Sequence, residues 1–99
     1  MTDRTPQMEP WDGPAGRAGY LLRTPYHEGF IAELKTLSSA DRRWDWDGTG
    51  AWWVAAEHED VVRHWLLRYF DAYEVVDVDT GAVDFFTAGG PQARQERFL

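Results

Sequence analysis

The sequence predicts an α+β domain: a small, mainly antiparallel sheet in β-α-β-β-α-β-β order with two helices packed on one face. Three observations carry this expectation. Two aromatic-rich runs, Arg42-Arg43-Trp44-Asp45-Trp46 and Ala51-Trp52-Trp53-Val54-Ala55, flank the polar Asp47-Gly48-Thr49-Gly50, which is the pattern of a β-hairpin. Residues 73–79 and 82–87, rich in Val and Phe, repeat that pattern around Thr80-Gly81. Apolar residues at helical steps precede each hairpin: Tyr26, Phe30, Leu34 and Leu37 before the first, and Val61, Val62, Trp65, Leu66 and Tyr69 before the second.

Residues 1–18 hold Pro6, Pro10 and Pro14 with Gly13 and Gly16, and they read as a flexible N-terminal tail whose large apolar residues are Met8 and Trp11. The folded body is then 19–87. Tyr20-Leu21-Leu22-Arg23 is its first strand, and Thr24-Pro25 ends that strand and opens the first helix. Within that helix Gly29 costs about 1 kcal/mol relative to Ala and permits a close approach to a strand. In the second helix Glu57, Glu59 and Asp60 complement the positive N-terminal end, and Arg68 lies near the negative C-terminal end. Residues 88–99 begin Ala-Gly-Gly-Pro, a strong stop, and read as a second flexible tail.

Composition excludes several function classes. A chain of 99 residues makes one domain. Without cysteine it has no disulfide framework and no Cys-ligated zinc or iron–sulfur centre, which suits a cytoplasmic protein. No apolar run approaches the roughly 20 residues of a membrane span, and the N-terminus has no secretory-type apolar stretch, so no membrane partner is expected. The net charge is −7, but it is uneven: seven of the ten cations lie between residues 17 and 68, and acids concentrate on Asp71, Glu74, Asp77, Asp79 and Asp84. A nucleic-acid face is electrostatically feasible only in the middle segment.

That middle segment, 25–70, places Phe30, then Leu34-Lys35, then Arg43-Trp44-Asp45, a turn, Trp52-x-Val54 and a second amphipathic helix, in that order. The order resembles the HARP domain, the small module of annealing helicases, and its short bacterial and phage relatives. The resemblance covers about 46 of 99 residues. It implies a compact α+β module that engages single-stranded or branched DNA, or a DNA-processing complex of repair or replication, by binding and not by catalysis. The chain differs from such modules in carrying Gly48-Thr49-Gly50 at the hairpin turn and in its acidic hairpin at 73–87.

Side chains alternate along a strand, so Trp44 and Trp46 share one side with Arg42, and Trp53 points opposite to Trp52 and Val54. With Trp44, Trp52 and Val54 under the helices, Trp53 is expected to be exposed beside Arg43 and Asp45. An exposed Trp next to a guanidinium is a base-stacking platform or an interface anchor. Arg42 and Arg43 are then phosphate contacts with Lys35 and Arg63 as helpers, or else surface cations paired with Asp41, Asp45 and Glu59. His58 and His64 lie six residues apart, so on a helix they project about 120° from each other and make no zinc motif. There is no nucleophile motif, no phosphate-binding glycine loop and no singled-out carboxylate pair, so neither a catalytic residue nor a cofactor is expected. In the acidic hairpin the carboxylates fall on both faces, which argues against strict DNA mimicry.

The reading favoured by the sequence is a non-enzymatic module acting on DNA or a DNA-processing complex through the 42–53 hairpin, with Arg42, Arg43, Trp53, Lys35 and Arg63 at the contact. The alternative is an acidic protein-interaction module, of phage or mobile-element type, that binds or inhibits a protein partner. Self-association into a homodimer through Trp53 with Phe85 or Phe86 is a third reading.

Overall fold

The computed structural model describes residues 5–88. The fold is α+β, as expected: a six-stranded, mainly antiparallel sheet with two helices. The strands are β1 (Gln7–Pro10), β2 (Gly19–Arg23), β3 (Arg42–Trp44), β4 (Trp52–Ala55), β5 (Ala72–Val76) and β6 (Val83–Thr87), with α1 (Glu28–Leu34) between β2 and β3 and α2 (Glu59–Phe70) between β4 and β5. Across the sheet they run β3-β4-β2-β1-β5-β6.

The first strand corrects the expectation of a flexible tail over 1–18. Pro6 and Pro10 bracket a four-residue strand that lies inside the sheet, antiparallel to β2 and parallel to β5. Met8 is its anchor and is fully buried. Without β1 the sheet has no bridge between the β2–β4–β3 half and the β5–β6 hairpin. The expected C-terminal tail, apart from Ala88, lies outside the described residues.

Both helices pack on one face, as the apolar stripes require. Phe30 and Leu34 of α1 and Val62, Trp65 and Leu66 of α2 form one core with Met8, Leu22, Val54 and Tyr73 from the sheet. The first helix starts later than its sequence pattern implies. His27 caps it, its Nδ1 accepting hydrogen bonds from the N–H groups of Gly29 and Phe30, so Tyr26 stands outside the helix and is 80% exposed. Gly29 faces the other helix and not a strand: a Cβ there would come within 2.8 Å of the Tyr69 ring. In α2 the acids Glu59 and Asp60 occupy the first turn and Arg68 the last, as expected for the helix dipole. Glu57 precedes the helix, in a 3-10 turn.

The opposite face of the sheet is covered in part by residues 11–17, which cross it as a strap. The strap starts from β1 and is closed by Trp11 N–H to Gly19 carbonyl (2.9 Å) and Gly13 N–H to Arg17 carbonyl (2.7 Å) hydrogen bonds. Beneath it Leu21, Ala51, Trp53 and Ala55 form a second, smaller core flanked by Trp46. In the β5–β6 hairpin the strand ends at Val76, so Asp77 and Asp79 belong to the turn, where the Asp77 carboxylate accepts from the backbone N–H groups of Asp79 and Thr80.

Candidate functional site

The β3–β4 hairpin has the expected pairing, Arg43 opposite Trp53 and Trp44 opposite Trp52. Its turn is shaped by Asp45, Gly48 and Gly50, all at positive φ. The Asp45 carboxylate accepts from Gly50 N–H at 2.7 Å, and the Asp47 carboxylate from Thr49 N–H at 3.1 Å. Alternation does put Trp53 on the face away from the helices, but the exposure expected for it is wrong: Trp53 is 0% exposed. The strap seals it. Its indole N–H donates to the Trp11 carbonyl at 2.9 Å, and Arg17 stacks 5.9 Å above its ring. Gly13 and Gly19 sit so close that a Cβ on either would overlap the indole. These two glycines are the sequence signal for the covering strap, since backbone meets ring only where no side chain intervenes. Trp46, expected on the same side as Arg42 and Trp44, instead joins this arrangement on the other face, donating to the Asp12 carbonyl at 2.9 Å, because β3 ends at Trp44 and Asp45 at φ 59° breaks the alternation.

Trp44 reverses its expected role as well. It lies on the helix side of the sheet, but β3 is the outermost strand, and Trp44 remains 55% exposed. Its ring meets that of Trp52, half-buried on β4, with centroids 5.3 Å apart. Together with Tyr26, Ile31 and Lys35 these two rings line an open groove of about 400 Å³ between α1 and the hairpin. A smaller recess beside it is floored by Leu22, Pro25 and Gly50. The groove is thus apolar and aromatic, with one ammonium group in its wall.

The five residues expected at a common contact are not brought together. Lys35 lines the groove. Arg42 shares the helix-side face of β3 with Trp44, and its Nε donates to the Leu37 carbonyl at 3.1 Å. Arg43 projects to the other face and stacks 5.5 Å over Trp46. Arg63 lies on α2, held by Glu59 at 2.9 Å and by the Tyr73 hydroxyl at 3.0 Å, with its guanidinium 5.3 Å above Phe86. Trp53 is submerged. The carboxylate partners also differ from expectation for Asp41: it pairs with Arg17 (3.0 Å) and His58 (2.9 Å), not with Arg42 or Arg43. The hydrogen bonds from His58 and then Arg17 hold the Asp41 carboxyl below the usual carboxylate range. Asp47 is also held low, first by the Thr49 hydroxyl.

Asp41, Glu57 and His58 place three ligand-type atoms within 4.8 Å of one another. Arg17 already bridges both carboxylates, at 3.0 Å and 2.9 Å. A cation entering there would have to displace a guanidinium, so the cluster is an ion-pair network tying the strap to the sheet end. The self-association patch built on Trp53 fails because that ring is buried. Of its other members Phe85 is 57% exposed, while Phe86 stacks on Tyr73 at 5.1 Å. Among the described residues no helix is long and apolar enough to cross a membrane. Compared with protein-family models, with curated proteins and with solved structures, the chain matches none.

Proposed function

We propose that this chain is a non-enzymatic binding module whose ligand seat is the groove between α1 and the β3–β4 hairpin, and that its ligand is a segment of a partner protein. The observation that carries the reading is the pair of aromatic rings left open to water beside an apolar floor: Trp44 at 55% and Tyr26 at 80% exposure. Leaving large rings exposed forgoes burial worth about 1.5–3 kcal/mol for a side chain of this kind, and exposed aromatics beside a concave apolar surface mark interaction sites.

Electrostatics favour a protein ligand over nucleic acid. The chain carries −7 overall. Arg17, Arg23 and Arg63 are taken up by ion pairs with Asp41, Glu57, Glu9, Asp47 and Glu59. Arg43 is turned to the opposite face of the sheet. A DNA-binding role of the kind the HARP resemblance implies needs a stripe of free cations to replace the counterions of the phosphates. The groove wall offers Lys35, with Arg42 on the Trp44 face of β3, and these two make no such stripe. The 42–53 hairpin keeps its place in the reading, but through Trp44 instead of Trp53.

The test is a pair of titrations followed by intrinsic Trp fluorescence. Peptides selected on the full chain from a displayed random library are expected to perturb the emission, and Trp44→Ala is expected to weaken their binding by about tenfold or more, as for an aromatic hot spot. A single-stranded oligonucleotide is expected to leave the emission unchanged at low salt. Oligonucleotide binding that is lost steeply as salt rises and that also needs Trp44 would replace this reading with the nucleic-acid one.

A further inference from the structure

The groove is bounded by β3, an outermost strand whose outer side has no strand neighbour among the described residues. Such an edge is a template for another extended chain, because its unpaired N–H and C=O groups complement those of a strand laid beside it. The side chains along the edge are ordered by alternation. Trp44 and Arg42 project to the helix side, two residues apart, and Arg43 to the other. Trp44 stands at the apolar end, with Tyr26, Ile31 and Trp52. Arg42 forms the other end of the same face, and Lys35 stands opposite β3 on the groove wall. Neither Arg42 nor Lys35 makes an ion pair among the described residues.

We propose that the occupant of the groove is an extended, apolar–x–acidic segment of a partner protein that adds antiparallel to β3 as a seventh strand, running from the Trp44 end toward the Arg42 end. Its apolar or aromatic side chain enters the groove against Trp44 and Trp52, and its carboxylate, two residues away on the same face, meets Lys35 and Arg42. The spacing follows from strand geometry: side chains at i and i+2 share a face about 6.5–7 Å apart, which matches the step from Trp44 to Arg42 on β3. Charge complementarity decides the second position, since Lys35 lines the groove and Arg42, its Nε held by the Leu37 carbonyl, ends the same face of β3. One carboxylate in contact with them is attracted at short range, while the −7 of the whole chain is spread over distances where salt of about 0.15 M screens it. This inference rests on the groove being the ligand seat, and it adds how the ligand lies there and what sequence it has.

The experiment pans a displayed random peptide library on the full chain, with Trp44→Ala as the counter-selection. The best peptide is then resynthesised with single backbone N-methyl groups at each position and, separately, with its acid changed to the amide. Strand addition predicts that selected peptides share an apolar residue followed two positions later by Asp or Glu. It also predicts that N-methylation at alternate positions weakens binding by about tenfold or more while the intervening positions tolerate it. Lys35→Gln should weaken the acidic peptide by about tenfold and leave the amide version unchanged, the signature of a direct charge contact. Trp44-dependent peptides that tolerate N-methylation everywhere, or that show no acid preference, overturn strand addition and leave the groove as the seat. Failure to obtain any Trp44-dependent peptide overturns the groove reading itself, and with it this one.

Discussion

At the scale of single residues, Trp53 of β4 and Trp44 of β3 have separate tasks. Trp53 is a structural ring: fully buried, hydrogen-bonded to the strap and faced by two glycines. Trp53→Ala is expected to cost about 3–5 kcal/mol, read as a lower midpoint in urea denaturation. Trp44→Ala, at a half-exposed edge position, is expected to change stability in the same assay by no more than about 0.5 kcal/mol while weakening peptide binding by about tenfold or more. Equal losses of stability in the two variants would refute the division of labour. A second residue-scale expectation concerns Asp71, which ends α2 in the left-handed region at φ 67°. That conformation suits glycine, so Asp71→Gly is expected to raise stability by about 0.5–1 kcal/mol in the same assay, and a decrease would mean that the carboxylate itself contributes there.

Ion pairs join elements here in addition to the apolar core. Arg17 in the strap, Asp41 before β3 and His58 before α2 form one cluster, so three connections of the chain meet at one end of the sheet. Its acid dependence follows from the depressed Asp41 carboxyl. A carboxyl whose folded-state value lies below its unfolded value contributes stability that is fully present above the unfolded value and lost as pH falls through the folded one. The urea midpoint should therefore hold near about pH 6 and fall on acidification toward about pH 2, and Asp41→Asn should flatten part of that fall. An unchanged profile in Asp41→Asn would assign the acid loss to other groups, Asp47 first among them. The helices were the most legible elements in the sequence, since Phe30, Leu34, Val62, Trp65 and Leu66 all face the core that their spacing implies. Tyr26, Leu37 and Val61 are the exceptions: Tyr26 and Leu37 lie outside α1, and Val61 is turned to solvent. The His27 cap starts α1 after Tyr26, and a cap is set by hydrogen bonds that apolar periodicity does not encode.

For the whole molecule, β1 is the piece on which the assembly turns. It pairs β2 on one side and β5 on the other, so it joins two halves that share no other strand pairing among the described residues. Deleting residues 1–10 is expected to abolish the cooperative urea transition and the near-ultraviolet circular dichroism of the tryptophans; a truncated chain that unfolds at the full-length midpoint would show that β1 is dispensable. The same bridge closes the strap over Trp53, because residues 11–17 are anchored between β1 and β2. Candidate contact residues that are close in sequence therefore end on different faces: Arg43 with Trp46 behind the sheet, Lys35 and Trp44 in front of it, and Arg63 over the β5–β6 hairpin.

The α+β class, both hairpins, both helices and the faces of the paired residues Arg42–Trp44 and Trp52–Val54 are legible in the sequence alone, because periodicities of 3.6 and 2 act between near neighbours and are written locally. The faces of Trp46, Asp77 and Asp79 are not, since Asp45 at φ 59° breaks the alternation after Trp44 and β5 ends at Val76. Tertiary structure alone decided which of those faces is open to water. Coverage depends on segments distant in the chain: a proline-rich stretch at 6–10 that becomes an interior strand, a strap that seals Trp53, and the edge position that leaves Trp44 only partly covered. Alternation assigns a side chain to a face, but only long-range packing determines whether another part of the chain lies over it.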